Sequence, residues 1–505
     1  MVYNDGMPIG QDLIYRRRGD GYSVIYGNRL ITPANVPVCK DPICYLVPDT
    51  TDLPLIGLNK DNFARHTLFM GSVGTGKTNG MFQVIGQLKS RLGPEDIMII
   101  FDTKGDYLDE FFMPGDVIIS NDEKACGRDG KANYWNIFRE IKAGDSSDDG
   151  QKDILEAAST LYKRKLEKAQ QPFFPQAARD IFAGILLSFY RLSLKTGFEF
   201  NNYLLKAYLD RAGSAAIRGL LSQSDDLKSI VSYISIDSSP QTQGVISELQ
   251  QGIREIFVGN FSKPGDLSIR EMVNRKGGYS IFLEYDLQYG ELFAPIFTLI
   301  VDQGLKQALG RPNKETVKGD VWVVIDEFRL LPPLQHIDNA INFGRGLGVK
   351  VIIAIQNINQ VNKIYGEQQA NNILSGCSNI FVFRLTDEAS RSFAQKIFGK
   401  QKRVERYTSE QMLADPMEQV AEGYVIEDSD LYSLRTGSAV IGLPSIPPFL
   451  FPFSIYNKEA INKRLREDRA KREKVEKEDE NAISEMFDLL RYQAPESLDG
   501  IRMER

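Results

Sequence analysis

Short, almost wholly apolar runs punctuate this chain, separated by stretches whose apolar residues recur three and four apart. Leu68-Phe69-Met70, Ile99-Ile100-Phe101, the segment YSIFLEYD (279–286), Val321–Ile325, VKVIIAIQ (349–356) and NIFVFR (379–384) are rich in β-branched and aromatic residues. Such runs predict buried strands. Helical periods follow several of them, as in the stretch after Lys77 and in APIFTLIVDQGLKQAL (294–309). The alternation predicts an α/β domain around a central, mostly parallel sheet. From 151 to 255 the period is helical throughout, which predicts an all-helical insert domain over 146–255 between a first (61–145) and a second (256–456) part of the sheet domain.

Before the first strand, residues 1–60 mix Tyr, Val and Ile with Pro, Gly and Asn, the pattern of a small N-terminal β-rich cap. The segment 429–456 reads as a β-rich closing stretch. GDSSDDGQKD (144–153) has no hydrophobic period and reads as a polar connector. The tail, 457–505, is dense in both charge signs and reads as a solvated helix with i,i+4 pairs. Near its end Ile483, Met486, Phe487, Leu489 and Leu490 form an apolar face suited to a neighbour or partner.

Composition narrows the class. The chain has 505 residues, 42% of them hydrophobic and 25% charged, enough for two or three packed domains. Its formal net charge of -6 leaves no global basic field for nucleic acid, though a locally basic channel fits. Candidates for such local contacts are Arg16-Arg17-Arg18 and the Lys163, Arg164, Lys165, Lys168 face. Cys39, Cys44, Cys126 and Cys377 are scattered, with His66 and His336 the only histidines, so a zinc site is disfavoured and reduced thiols are expected. The longest apolar stretches, 181–190 and 292–301, are about half of what a membrane helix needs. No transmembrane segment and a cytoplasmic location are therefore expected.

The most specific chemistry lies at 66–88. Gly71, Ser72, Val73, Gly74, Thr75, Gly76, Lys77 and Thr78 satisfy G-x-x-x-x-G-K-[ST] between a strand and a helix. Glycines let successive backbone N–H groups converge on phosphate oxygens, and the helix adds the positive end of its dipole. Lys77 is expected on the β- and γ-phosphates of ATP, Thr78 on Mg2+, and Asn79 beside them as a further nucleotide-binding residue. At the end of VWVVIDEF (321–328), Asp326 is expected to hold Mg2+ through water and Glu327 to polarise the attacking water. A second carboxylate points to hydrolysis rather than storage.

Arg345 lies in a turn with Gly344, Gly346 and Gly348, and eleven residues later Gln356 ends an apolar run. A cation on the equatorial oxygens of a transferring phosphoryl group is worth about 10³ to 10⁵ in rate. Arg345 is a candidate for that cation across a subunit interface. Gln356, at a strand end facing the ligand crevice, is a candidate γ-phosphate reporter. The plainer alternatives are a solvated arginine and a strand-capping amide.

The order P-loop, IIFDTKGDY (99–107), YWNIF (134–138), IDEF (325–328), GRGLGVKVIIAIQNINQVNKIYG (344–366) resembles the TraG/TraD-type coupling ATPases of type IV secretion, within the FtsK/HerA group of ring-forming DNA motors. Asp102 and Lys104 match that family's Asp-Pro-Lys-Gly element, with Thr103 in place of proline. The turn at Arg345 is one residue tighter than the family's common form. The resemblance implies a RecA-like P-loop fold and a hexameric ATPase that threads DNA, with a secretion-system, relaxase or effector protein as partner. Family members usually carry transmembrane helices, which are not expected here. A P-loop regulator that switches an effector subunit, in phage defence or mobile-element maintenance, is the alternative function.

Overall fold

In the computed structural model, the described residues are 22–128, 130, 132–142, 147–310, 318–407 and 417–493. Arg16-Arg17-Arg18 lies outside them. The strands are β1 (Tyr22–Gly27), β2 (Cys44–Leu46), β3 (Ile56–Leu58), β4 (Thr67–Met70) and β5 (Ile97–Asp102). They continue with β6 (Val117–Ser120), β7 (Tyr279–Glu284), β8 (Val321–Ile325), β9 (Val349–Ile355) and β10 (Asn379–Val382). The chain closes with β11 (Lys400–Tyr407), β12 (Met417–Tyr424), β13 (Ser438–Leu443) and β14 (Ile446–Pro452).

A 9-stranded sheet in the order β14-β13-β10-β4-β9-β8-β5-β7-β6 organises the molecule. Every neighbouring pair from β10 to β6 is parallel, and β13 and β14 add an antiparallel edge. This is the expected α/β architecture. The central strands β4, β5, β8 and β9 are buried along their whole length, as sheets covered on both faces require. One apolar cluster packs on each face: Phe69, Met81, Val84, Ile100 and Val324 on one, Leu68, Ile99, Val323 and Ile353 on the other. The short β6, a Val117-Ile118-Ile119 run, was not among the expected strands and forms the second edge.

Residues 22–58 divide their strands between two places. β2 and β3 pair with each other, whereas β1 joins β11 and β12 in a separate 3-stranded sheet. Helices Ser147–Lys168, Phe173–Thr196, Asn202–Arg211, Ser214–Leu221 and Pro240–Ile256 occupy the predicted helical region. The polar stretch at 144–153 does not stay a connector, because helix Ser147–Lys168 begins inside it. Its missing hydrophobic period has a cause. The inward residue there is Asp153, which is buried and pairs with Arg270 and Lys306 instead of apolar neighbours.

One turn of that helix later, Glu156 binds Lys306 and lies 2.9 Å from His336. Glu156, Asp302 and His336 are close enough to share a metal, but Lys306 and His336 already neutralise Glu156. The group is an ionic seam between the helical region and the sheet. Of Lys163, Arg164, Lys165 and Lys168, two are engaged in ion pairs: Arg164 with Glu291, and Lys165 with Glu248 and Glu255. The tail is one helix, Lys458–Gln493, whose Ile461 packs on Val47 and Leu55. Ile483 and Met486 of the predicted apolar face are exposed, and the other three side chains lie outside the described ones. Among the described residues, no helix is long and apolar enough to cross a membrane.

His66 enters β4 at a positive φ of 55° and is buried. Its Nδ1 accepts the Val351 N–H of β9 at 3.1 Å. Burial, reinforced by the nearby Lys350 ammonium, pulls its pKa down from 6.5 to about 4. The unfolded chain therefore takes the proton first, and stability present above about pH 6.5 is lost as pH falls toward 4. Between pH 7 and pH 5 this amounts to about 2 kcal/mol. His66→Asn keeps an acceptor and tolerates the left-handed backbone. Urea unfolding should show that the variant lacks this part of the acid sensitivity, and an unchanged pH slope would refute the assignment.

Candidate functional site

The C-terminal ends of the parallel strands share one edge of the sheet, and most of the predicted site residues gather there. The loop after β4 is pinned by its backbone: Gly71 N–H donates to Ile355 O at 3.2 Å and Ser72 N–H to Arg384 O at 3.0 Å. Thr75 hydroxyl donates to Ser72 O at 2.8 Å, and Gly437 N–H donates to Thr75 O at 2.9 Å. The Ser72 hydroxyl lies 3.0 Å from that of Thr386, and Val73 projects into solvent. Gly74 and Gly76 have φ of 72° and 96°, a conformation that costs other residues strain. Helix Lys77–Lys89 then starts with no side-chain cap and no acid in its first turn. An uncapped helix start leaves N–H donors and a positive dipole end for an anion.

Lys77, in the first turn, is only 8% exposed. Burial lowers its pKa, opposed by Glu327 and Asp326. Thr78 beside it is half-buried. Asn79 departs from the expected nucleotide contact: its side-chain NH2 donates to Ser454 O at 2.8 Å and its oxygen accepts Tyr456 N–H at 2.6 Å. That amide ties the helix to the chain after β14.

Asp326 and Glu327 leave β8 beside this loop. Thr103 hydroxyl donates to one oxygen of Asp326 at 3.0 Å and Tyr107 hydroxyl to the other at 3.2 Å. Two neutral donors thus fix the carboxylate without cancelling its charge. Glu327 is 4% exposed, and burial pushes its pKa above the usual carboxylate range. Lys77, Arg329 and Gln356 act in the opposite direction, so Gln356, just beyond β9, sits at this carboxylate. Glu327 Oε1 is buried without a hydrogen-bond partner. Asp102 has a structural task here: it accepts N–H donors of Lys104, Gly105 and Leu108 and caps the helix Asp106–Phe111. Burial raises its pKa to about 6. Lys104 is exposed at the same edge.

Arg345 is elsewhere. Its turn, Gly344–Leu347, precedes β9, so it occupies the opposite edge of the sheet from the phosphate loop. There the guanidinium, about half exposed, donates to Asp61 at 2.7 Å. Seven residue steps of strand, about 23 Å at 3.3 Å per residue, separate Val349 from Gln356.

Three residues of this site were assigned no role from sequence. Thr103 and Tyr107 stand in the IIFDTKGDY motif, but their target becomes visible only once β5 and β8 are neighbours. Arg329, two residues past Glu327, carried no sequence signal beyond that proximity.

Residues 51–428 match the sequence profile of a family described as the type IV secretion-system coupling protein DNA-binding domain. The chain belongs to this family. The coupling protein TraD of Escherichia coli (strain K12) is 21% identical over 421 residues, which are 79% of this chain and 53% of that protein. The chain thus spans about half the length of this coupling-protein relative. An unbound form of the bacterial conjugative coupling protein TrwB shares the fold, with a TM-score of 0.67 and 18% identity over 87% of this chain and 96% of that one. TrwB in complex with ADP and Mg2+ gives 0.65 and 18%, over 86% and 95%. The RecA-like coupling-protein architecture expected from the motif order is therefore present.

The two loop glycines separate strain from space. A Cβ on Gly76 would lie 2.8 Å from backbone atoms of Gly437, whereas one on Gly74 would meet nothing within 4 Å. Gly74→Ala should cost about 1 kcal/mol from φ alone, and Gly76→Ala about 2 to 4 kcal/mol. Urea midpoints measure both, and equal costs would contradict the close approach.

Proposed function

We propose that this chain is an ATP-hydrolysing, ring-forming DNA translocase of the coupling-protein kind, working as a hexamer whose sites are completed across subunits. One observation carries the reading: Lys77, Asp326, Glu327 and Gln356 gather at one edge of the sheet while Arg345 lies at the other. Side chains at opposite ends of the same strand cannot meet in one protomer. In a head-to-tail ring, one subunit's Arg345 edge faces the next subunit's phosphate loop.

The loop N–H groups, the start of the helix at Lys77 and the Lys77 amine fit the phosphates of ATP. Asp326 and Thr78 offer the hard oxygen donors that Mg2+ takes, and the ion would neutralise phosphate charge there. The nucleotide complexes of TrwB support both ligands. Buried Glu327 offers Oε1, which makes no hydrogen bond, to a water in line with the γ-phosphorus, and Gln356 links that carboxylate to the phosphate. Arg345 of one subunit stabilises charge developing on the neighbour's nucleotide. DNA as the load follows from the family's description, and secretion or relaxase proteins are the fitting partners.

The test uses two damaged variants. Glu327→Gln keeps its arginine but loses the carboxylate, and Arg345→Ala keeps its site but loses the arginine. Each alone should turn over ATP poorly, with or without DNA. Co-assembled at equal amounts, half the subunits keep Glu327 and half of their neighbours supply Arg345. Turnover should then recover to about a quarter of wild type. No recovery in rings shown to contain both variants would place Arg345 outside the shared site. Absence of DNA-stimulated turnover in the wild type would remove the translocase reading itself.

A further inference from the structure

Beside the carboxylate that the proposed function assigns to water activation lies an ion pair of unusual geometry. Arg329 Nε and Glu327 Oε1 are 3.4 Å apart, both are buried, and neither has a hydrogen-bond partner among the described residues. Unmade hydrogen bonds at buried polar atoms are costly, and the local backbone brings these two side chains together. Glu327 is extended, with φ of -139° and ψ of 92°, and leads into the tight turn Phe328–Leu330. Phe328 is fully buried and stacked on Tyr365 with ring centroids 4.7 Å apart, and Leu331 is fully buried. Anchored on both sides, the turn places the backbone of Arg329 beside the carboxylate, while its side chain is 38% exposed. Lys77 and Gln356 compete for the same carboxylate.

We propose that Arg329 is a positioning residue that holds the Glu327 carboxylate off Lys77 by a loose ion pair to Oε1, which makes no hydrogen bond and so keeps that oxygen able to accept one from the attacking water. The inference rests on the reading of Glu327 given above. In the step it serves, the water oxygen forms a bond to the γ-phosphorus, the bond from that phosphorus to the ADP oxygen breaks, and the water's proton passes to Glu327. In this role Arg329 acts only through Glu327. Without it the carboxylate is left to Lys77, the other cation that acts on it, and the lysine and the acid are both withdrawn from their tasks.

The experiment measures kcat and KM for ATP, with DNA present, for the full chain carrying Arg329→Ala, Arg329→Lys, Glu327→Gln or the Glu327→Gln/Arg329→Ala pair. Arg329→Ala should lower kcat about 10- to 100-fold with KM within about threefold. Arg329→Lys, which keeps the charge and most of the stem, should recover part of the loss. The pair should be no slower than Glu327→Gln alone, because Arg329 acts only through Glu327. Three results would overturn the inference: kcat of Arg329→Ala within about twofold of wild type, a raised KM at full kcat, or a pair slower than Glu327→Gln. Should Arg329→Ala not fold, Arg329→Gln carries the same comparison. Full activity of Glu327→Gln would instead remove the underlying reading of that residue. Loss in Glu327→Gln with an indifferent Arg329→Ala removes this inference alone.

Discussion

A strand in a parallel sheet delivers its two ends to opposite edges, and this chain's chemistry is arranged around that constraint. β9 enters beside Arg345 and leaves beside Gln356. β4 and β8, its hydrogen-bonded neighbours, run the same way and leave into the phosphate loop and the Asp326-Glu327 pair. The register is fixed by buried apolar residues on both faces, so no small motion brings the arginine to its own loop. In the proposed assembly a second copy, set head to tail, closes the distance.

The remaining packing holds each part in place for that meeting. The uncapped helix at Lys77 stores unspent N–H donors, and Asp326 is fixed by neutral hydroxyls that leave its charge available. Glu327 keeps a buried oxygen that makes no hydrogen bond and faces Arg329 Nε at 3.4 Å. Each is costly in an isolated fold and fits a site made to receive an anion, a cation and water. Arg345, by contrast, is satisfied by an exposed pair with Asp61, of the kind worth about 1 kcal/mol or less. A contact that weak costs little to exchange for another anion, as the proposed role of Arg345 requires. His336, hydrogen-bonded to Asp302 and Glu156, anchors the start of the helix Ile337–Phe343, which ends at the arginine's turn. The helical region and the arginine edge are thus mechanically joined.

Much of this was legible in the residues. Apolar runs such as Val321–Ile325 announce strands buried on both faces, and the glycine spacing at 71–78 announces the tight loop between β4 and the helix at Lys77. What stayed hidden depends on contacts between distant segments. The 144–153 stretch looked like a linker because its buried face is Asp153, whose partners Arg270 and Lys306 lie more than a hundred residues away. Asn79 looked like a ligand residue until Ser454 and Tyr456 were placed on it. Tyr107 and Thr103 could not be assigned to Asp326 from their spacing alone. β6, a short edge strand, leaves only a weak pattern in the sequence.

The central claim is that one functional site needs two copies of this polypeptide. Specific ATP turnover against protein concentration, with mass photometry on the same samples, tests it most directly. A shared site predicts that turnover per subunit falls as rings dissociate on dilution, in step with the loss of assembled particles. A dissociated monomer that hydrolyses ATP at the undiluted rate would contradict it.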